Sequence, residues 1–165
     1  MDLDTFKALF RYSDWANLRV LGCAAELSNE QLDRQLEIGS GTLRKTLLHL
    51  YNGEFVWRQR WQTEDAVPWP SEDEPAAIPA LTDRFKTNFA ARDGFLATVT
   101  ALALTQIRKY RDSRGTWYEA PLGDMLMQAG VHSIHHRAQI VNMLRRLGGE
   151  APELDYMYWR RHPTK

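Results

Sequence analysis

Apolar residues recur at helical intervals through most of the chain. In the first segment they fall at Phe6, Leu9, Phe10, Ala16, Val20, Leu21, Ala24 and Leu27, interrupted only by the small Ser13. Steps of three and four gather them on one helical face that seeks burial. Asp4 is a plausible N-cap. "LSNEQL" then restarts a helix, with Ser28 and Gln31 in capping-box spacing. "GSGTLRKTLLHLYNGEFVWRQRWQ" predicts a second long helix, capped by Ser40, with a stripe through Leu43, Leu47, Leu50 and Tyr51 that continues through Phe55 or Glu54, Trp57 and Trp61. Pro68, Pro70, Pro75 and Pro79 follow within "VPWPSEDEPAAIP". They forbid a continuous helix and mark a long loop.

A third helix is expected from about residue 80 to about residue 105, with Leu81, Phe85, Phe89, Phe95, Leu96 and Val99 inward. "IRKYRDSRGTWYEA" alternates loosely and carries a turn signal from Asp112 to Gly115, which suits a short hairpin. Pro121 can open a fourth helix, whose buried side is Leu122, Met125, Leu126, Ala129, Ile140, Met143, Leu144 and Leu147. Arg145 and Arg146 complement its C-terminal dipole, and Gly148 can end it. The tail from Ala151 reads as irregular or briefly extended. Four amphipathic segments predict an all-α four-helix bundle, with a short hairpin before the last helix and room for a crossover after the second.

The 165 residues match one ordinary domain, so 1–165 is taken as a single unit. With 44% hydrophobic residues, such a chain can bury a core without a disulfide or a structural metal. A bound metal would therefore serve a site. Basic and acidic side chains balance at 21 each, which lacks the basic excess of most nucleic-acid binders. Cys23 is the only cysteine, the N-terminus has no signal-peptide pattern, and no apolar run approaches a membrane span. These features predict a cytoplasmic protein that binds neither nucleic acid nor membrane.

"GVHSIHHRAQI" holds three of the five histidines. His132 and His136, four apart, share the helical face of Met125, Ala129, Ile140 and Met143. Two imidazoles so stacked can grip one divalent ion from a single helix. His135 lies to the side and reads as supporting or solvent-facing. His49 in "TLLHLYNGE" is the candidate third ligand, and Gly53, one turn on, leaves space beside an imidazole. His162 receives no role. Glu54 could bond a ligand imidazole or be a solvated charge. Asp14 and Asn17 on the first helix invite the same two readings, and Glu119 and Asp124 could approach the site mouth, although ordinary surface roles suit them better. No phosphate loop, dinucleotide fingerprint, paired-cysteine motif or nucleophile elbow occurs.

"YSDWAN", "GSGTLRKTLLHLYNGEFVWRQRW" and "GVHSIHHRAQIVNMLRRLG" followed by "LDY" resemble the DinB family over nearly the whole chain. The resemblance implies an up-up-down-down bundle, often a homodimer, with a divalent metal on His49, His132 and His136. Val131 and Ala138 stand where the family stretch usually has asparagine and glycine, neither of which is a ligand. Some relatives are thiol-dependent transferases or isomerases using low-molecular-weight thiols, and the DNA-damage-inducible name describes induction rather than DNA binding. Three functions of different class follow. The first is a metal-dependent transferase or hydrolase acting on a small molecule, with Zn or Ni and a thiol as cofactors. The second is a metal-binding structural or stress-response protein without turnover. The third is a homodimeric interaction module using its six tryptophans and six tyrosines.

Overall fold

The computed structural model describes residues 1–72 and 77–161. Pro75 and His162 lie outside them. Four long helices carry the fold: α1 (Leu3–Ala25), α3 (Leu43–Arg60), α4 (Ile78–Thr98) and α5 (Leu122–Arg146). Short helices α2 (Asn29–Asp33) and α6 (Tyr156–Arg160) accompany them, the latter where an irregular tail was expected. Strands β1 (Ile107–Arg111) and β2 (Trp117–Pro121) form the expected hairpin, antiparallel with Tyr110 opposite Tyr118. Among the described residues, no helix is long and apolar enough to cross a membrane.

Local chemistry explains the boundaries, including those that depart from expectation. Asp2, not Asp4, caps α1, accepting bonds from the Thr5 N–H at 2.8 Å and its hydroxyl at 2.6 Å. The capping box of Ser28 and Gln31 forms as predicted. Thr42, not Ser40, caps α3 through the Lys45 N–H. Ser40 instead donates its own N–H to the Thr46 hydroxyl. Pro79 lies within the first turn of α4, where a missing N–H costs nothing. Helix α4 stops at Thr98, short of the predicted 105, and a 3₁₀ turn covers Leu102–Thr105. Thr98, Val99 and Thr100 are consecutive β-branched residues that resist a helix, while Val99 still reaches the core in an extended conformation. Gly148 ends α5 as expected, with a φ of 76° that a side chain would strain.

The core divides into two apolar clusters. One joins Val20, Leu21, Leu43, Leu47, Phe85, Ile140 and Leu144. The other joins Phe6, Phe10, Trp61, Leu96, Leu122 and Leu126. These clusters fix helix directions. Helices α1 and α5 each begin in the second cluster and end in the first, whereas α3 and α4 run the opposite way. The order is therefore up-down-down-up, not up-up-down-down. Helix α5 packs on α3 and α1, α4 packs on α1 and α3, and the sequence neighbours α4 and α5 are diagonal. The proline-bearing loop links the parallel pair α3 and α4, so it is the crossover that the sequence left room for.

Between the clusters lies a polar layer. Glu54 Oε1 accepts from Asn17 Nδ2 and Ser133 Oγ, both at 2.8 Å, tying α3 to α1 and α5. Arg137 donates to Ser13 and Asn17, and Arg92 makes a bidentate pair with Asp14. Burial pushes the Asp14 carboxyl up to about 6, against the opposing pull of Arg92.

Candidate metal centre

At the level of this polar layer, α3 and α5 also bring half-buried histidines together. His49 comes from α3, and His132 and His136 come from successive turns of α5. The three imidazoles each place a ligand nitrogen within 4.8 Å of the others. Ring centroids stand 5.6 Å apart for His49 and His132, 4.6 Å for His49 and His136, and 4.3 Å for His132 and His136. The residues selected by spacing thus converge, each half-buried rather than sealed in the core.

Close approach of the helices makes this possible. A Cβ at Gly53 would overlap Cε1 of His132 and lie 2.7 Å from its Nδ1. The space at Gly53 therefore serves His132 across the interface, not His49 on its own helix. A glycine costs about 1 kcal/mol against alanine inside a helix, and here the lost propensity gives room for an imidazole.

Two of the rings are oriented from behind. His49 Nδ1 lies 2.8 Å from Glu72 Oε1, which also accepts from Trp69 Nε1 at 2.8 Å. A carboxylate acceptor fixes the proton on His49 Nδ1 and leaves Nε2 with its lone pair toward the cluster. His136 Nδ1 lies 2.8 Å from Gln139 Oε1, and Gln139 Nε2 is 3.1 Å from His135 Nε2. His135 itself is exposed and, among the described residues, bonds to this arrangement through Gln139. Trp69 also packs against His49, with centroids 5.1 Å apart. His132 Nδ1 is buried without a partner among the described residues.

Electrostatics favours the form that binds cations. Burial, followed by the neighbouring His136, His49 and His135, pulls the His132 pKa down to about 3. Burial also lowers His136, with Gln139 opposing. Burial raises Glu72, but bonds from His49 and Trp69 outweigh it and the net direction is down. Near neutrality His132 and His136 are therefore unprotonated beside an ionised Glu72, the protonation state that metal ligands require.

The other sequence candidates are placed elsewhere. Glu54 bonds neither an imidazole nor water at the surface: it is buried in the polar layer, facing Asn17 and Ser133. Asp14 and Asn17 belong to that layer. Glu119 is exposed on β2 and lines a separate cavity of about 500 Å³, and Asp124 is exposed in the first turn of α5. Neither joins the imidazole group. Sequence reasoning missed Glu72, Trp69 and Gln139. The first two sit in an aperiodic loop that carries no positional signal, whereas Gln139, three residues beyond His136, was reachable by helical spacing.

No curated protein sequence matches the chain. Among solved structures, it is similar to a DinB-like protein from Bacillus cereus ATCC 10987, with a TM-score of 0.73 and 21% identity over 92% of this chain and 97% of that one. It is also similar to YfiT from Bacillus subtilis, with a TM-score of 0.68 and 18% identity over 90% of each chain. YfiT is described as a probable metal-dependent hydrolase with an unusual four-helix bundle topology. At these identities the two structures establish a shared bundle fold. The DinB family model matches residues 1–164, and on that match the chain belongs to the DinB family.

Proposed function

We propose that this protein is a metal-dependent enzyme that holds one divalent cation, Zn²⁺ or Ni²⁺, on His49, His132 and His136. The observation that carries this reading is the convergence of three imidazoles, two of them fixed through Nδ1 so that Nε2 is the available donor. The donor set fits such an ion: neutral imidazoles suit zinc and nickel, and three protein ligands are typical of catalytic sites that keep a position open. A bound ion would supply an activated water or small thiol at neutral pH.

The chain's own residues hold the ligands and shape their surroundings. Glu72 and Gln139 set the imidazole tautomers, Gly53 admits the His132 ring, and Trp69 screens one side of His49 from water. Hydrolysis and transfer of a low-molecular-weight thiol both use a nucleophile made this way. The description of YfiT favours the hydrolytic reaction. Titration calorimetry with Zn²⁺ and Ni²⁺, followed by activity screens with ester, amide and thiol-acceptor substrates, tests the proposal. Saturation at one ion per chain, with turnover that a chelator abolishes, is the expected result. Metal binding without turnover across those classes would move the reading to a non-catalytic metal protein. Absence of binding would remove it.

A further inference from the structure

Beside the candidate metal centre is a second feature that the histidine chemistry leaves unexplained. A cavity of about 680 Å³ opens between the loop after α3 and the hairpin turn. Val67, Pro68 and Trp69 form one wall, and Arg111, Asp112 and Arg114 form the other. Trp69 joins the two places, because this residue lines the cavity while its indole packs on His49 and bonds Glu72.

The charged wall is organised rather than incidental. Asp112 Oδ1 is occupied by the turn itself, accepting from the N–H groups of Arg114 at 2.9 Å and Thr116 at 2.8 Å. Arg111 folds over that turn and donates Nε to the Gly115 carbonyl at 2.8 Å. Gly115 has a φ of 90°, and a Cβ there would stand 2.9 Å from Arg111 Nη2, so glycine is what permits this placement. The guanidinium of Arg111 thus reaches the cavity partly immobilised, with its Nη donors unused by the turn.

A third cation lies behind the hairpin. Arg60 is only 6% exposed, and its guanidinium packs over Trp57 at 5.0 Å and Tyr110 at 5.5 Å. Its buried Nε has no acceptor among the described residues. Burial lowers the Arg60 pKa, while Tyr110 and then Asp112 oppose that shift, so Arg60 is within electrostatic reach of the cavity wall. A buried guanidinium held only by aromatic faces is an unmet demand for negative charge.

We propose that this cavity binds the anionic group, a carboxylate or a phosphate, of the molecule on which the metal centre acts, with Arg111 and Arg114 as direct contacts. Arg60 adds positive potential from behind, and Trp69 supplies an apolar platform leading toward His49. This assignment rests on the enzymatic reading above for its link to the metal, but the cavity can be tested without metal.

The experiment is a titration of the metal-free full chain with succinate in one arm and inorganic phosphate in the other. It is followed by ¹H–¹⁵N resonances of the Trp69 indole and the arginine Nε groups. The expected result is a saturable shift of Trp69 and Arg111 with at least one anion, and the tighter arm identifies the chemical class. Arg111→Gln combined with Arg114→Gln should weaken binding by about tenfold or more, the loss expected when charge-assisted bonds are removed. Zinc affinity by calorimetry should stay unchanged in that variant, which also shows that it is folded. Resonances that do not saturate with either anion, or a double variant that binds as wild type, would overturn the proposal. A failed zinc titration would sink the metal reading alone, because the anion result is obtained without metal.

Discussion

The middle of the bundle contains two polar clusters built from adjacent residues, and they have opposite fates. Glu54 and Ser133 face inward, where Glu54 Oε1 accepts from Ser133 and from Asn17, and Asn17 in turn accepts from Arg137, so that bonds across three helices hold them in place. Gly53 and His132, each one position earlier, lie at the seam between α3 and α5 where three imidazoles converge, His49 and His136 backed by Glu72 and Gln139 and His132 Nδ1 without a partner among the described residues. One residue of helical rotation, about 100°, separates a polar group that ties the fold together from one free to bind something else. The inner layer stabilises the packing of four helices, whereas the outer cluster holds the desolvated rings of His132 and His136 against each other at a cost to stability. That contrast is what a binding site displays when it is assembled on a framework supported elsewhere.

The comparison can be broken first from the inside. Arg92→Met removes the bidentate partner of the part-buried Asp14 carboxylate, so unfolding free energy in urea should fall by about 1.5–3 kcal/mol. From the outside, the order is reversed. His132→Leu should abolish stoichiometric zinc binding while leaving the metal-free protein as stable as wild type or more so, because it removes a desolvated ring beside two other imidazoles. Calorimetry and thermal unfolding of the same sample check both halves.

Glu72→Gln should keep the fold and reduce metal affinity by about 10–100-fold, the usual consequence of losing a group that orients a ligand histidine. Gly53→Ala sharpens the geometric claim. Alanine favours the helix by about 1 kcal/mol, yet its Cβ overlaps His132, so metal binding should weaken without any loss of helix content by circular dichroism.

A pH slope in stability checks the same cluster without a metal. The His132 and His136 pKa values are lower in the folded state than their ordinary 6.5, so the unfolded chain binds more protons below that value. Stability of the metal-free protein should therefore be full above about pH 6.5 and decline as the pH falls from there toward 3, the value reached by His132. His132→Leu should flatten the slope in that window. An unaltered slope in the variant would place the protonation elsewhere.

Helical spacing made the bundle legible because each long helix buries one continuous stripe. It also selected His49, His132 and His136 as a candidate set, since side chains on rigid helices keep their register in the sequence. What it misjudged has physical causes. Glu54 was read as a solvated charge or an imidazole partner, because a single helix cannot reveal that Asn17 and Ser133 wait across the interface. Gly53 was recognised as space but assigned to its own helix instead of to His132. The helix directions depend on which ends pack together, a long-range fact absent from any local pattern. Glu72 and Trp69 lie in the proline-rich crossover, where neither period 2 nor period 3.6 points to a partner.

X-ray absorption on untagged protein reconstituted with zinc addresses the central claim most directly. The account predicts one zinc per chain, three imidazole scatterers and a remaining position filled by exchangeable solvent, with the signal lost in the combined His49→Ala, His132→Ala and His136→Ala variant. A wild-type protein that retains no zinc after reconstitution, or a triple variant that binds it equally well, would contradict the account.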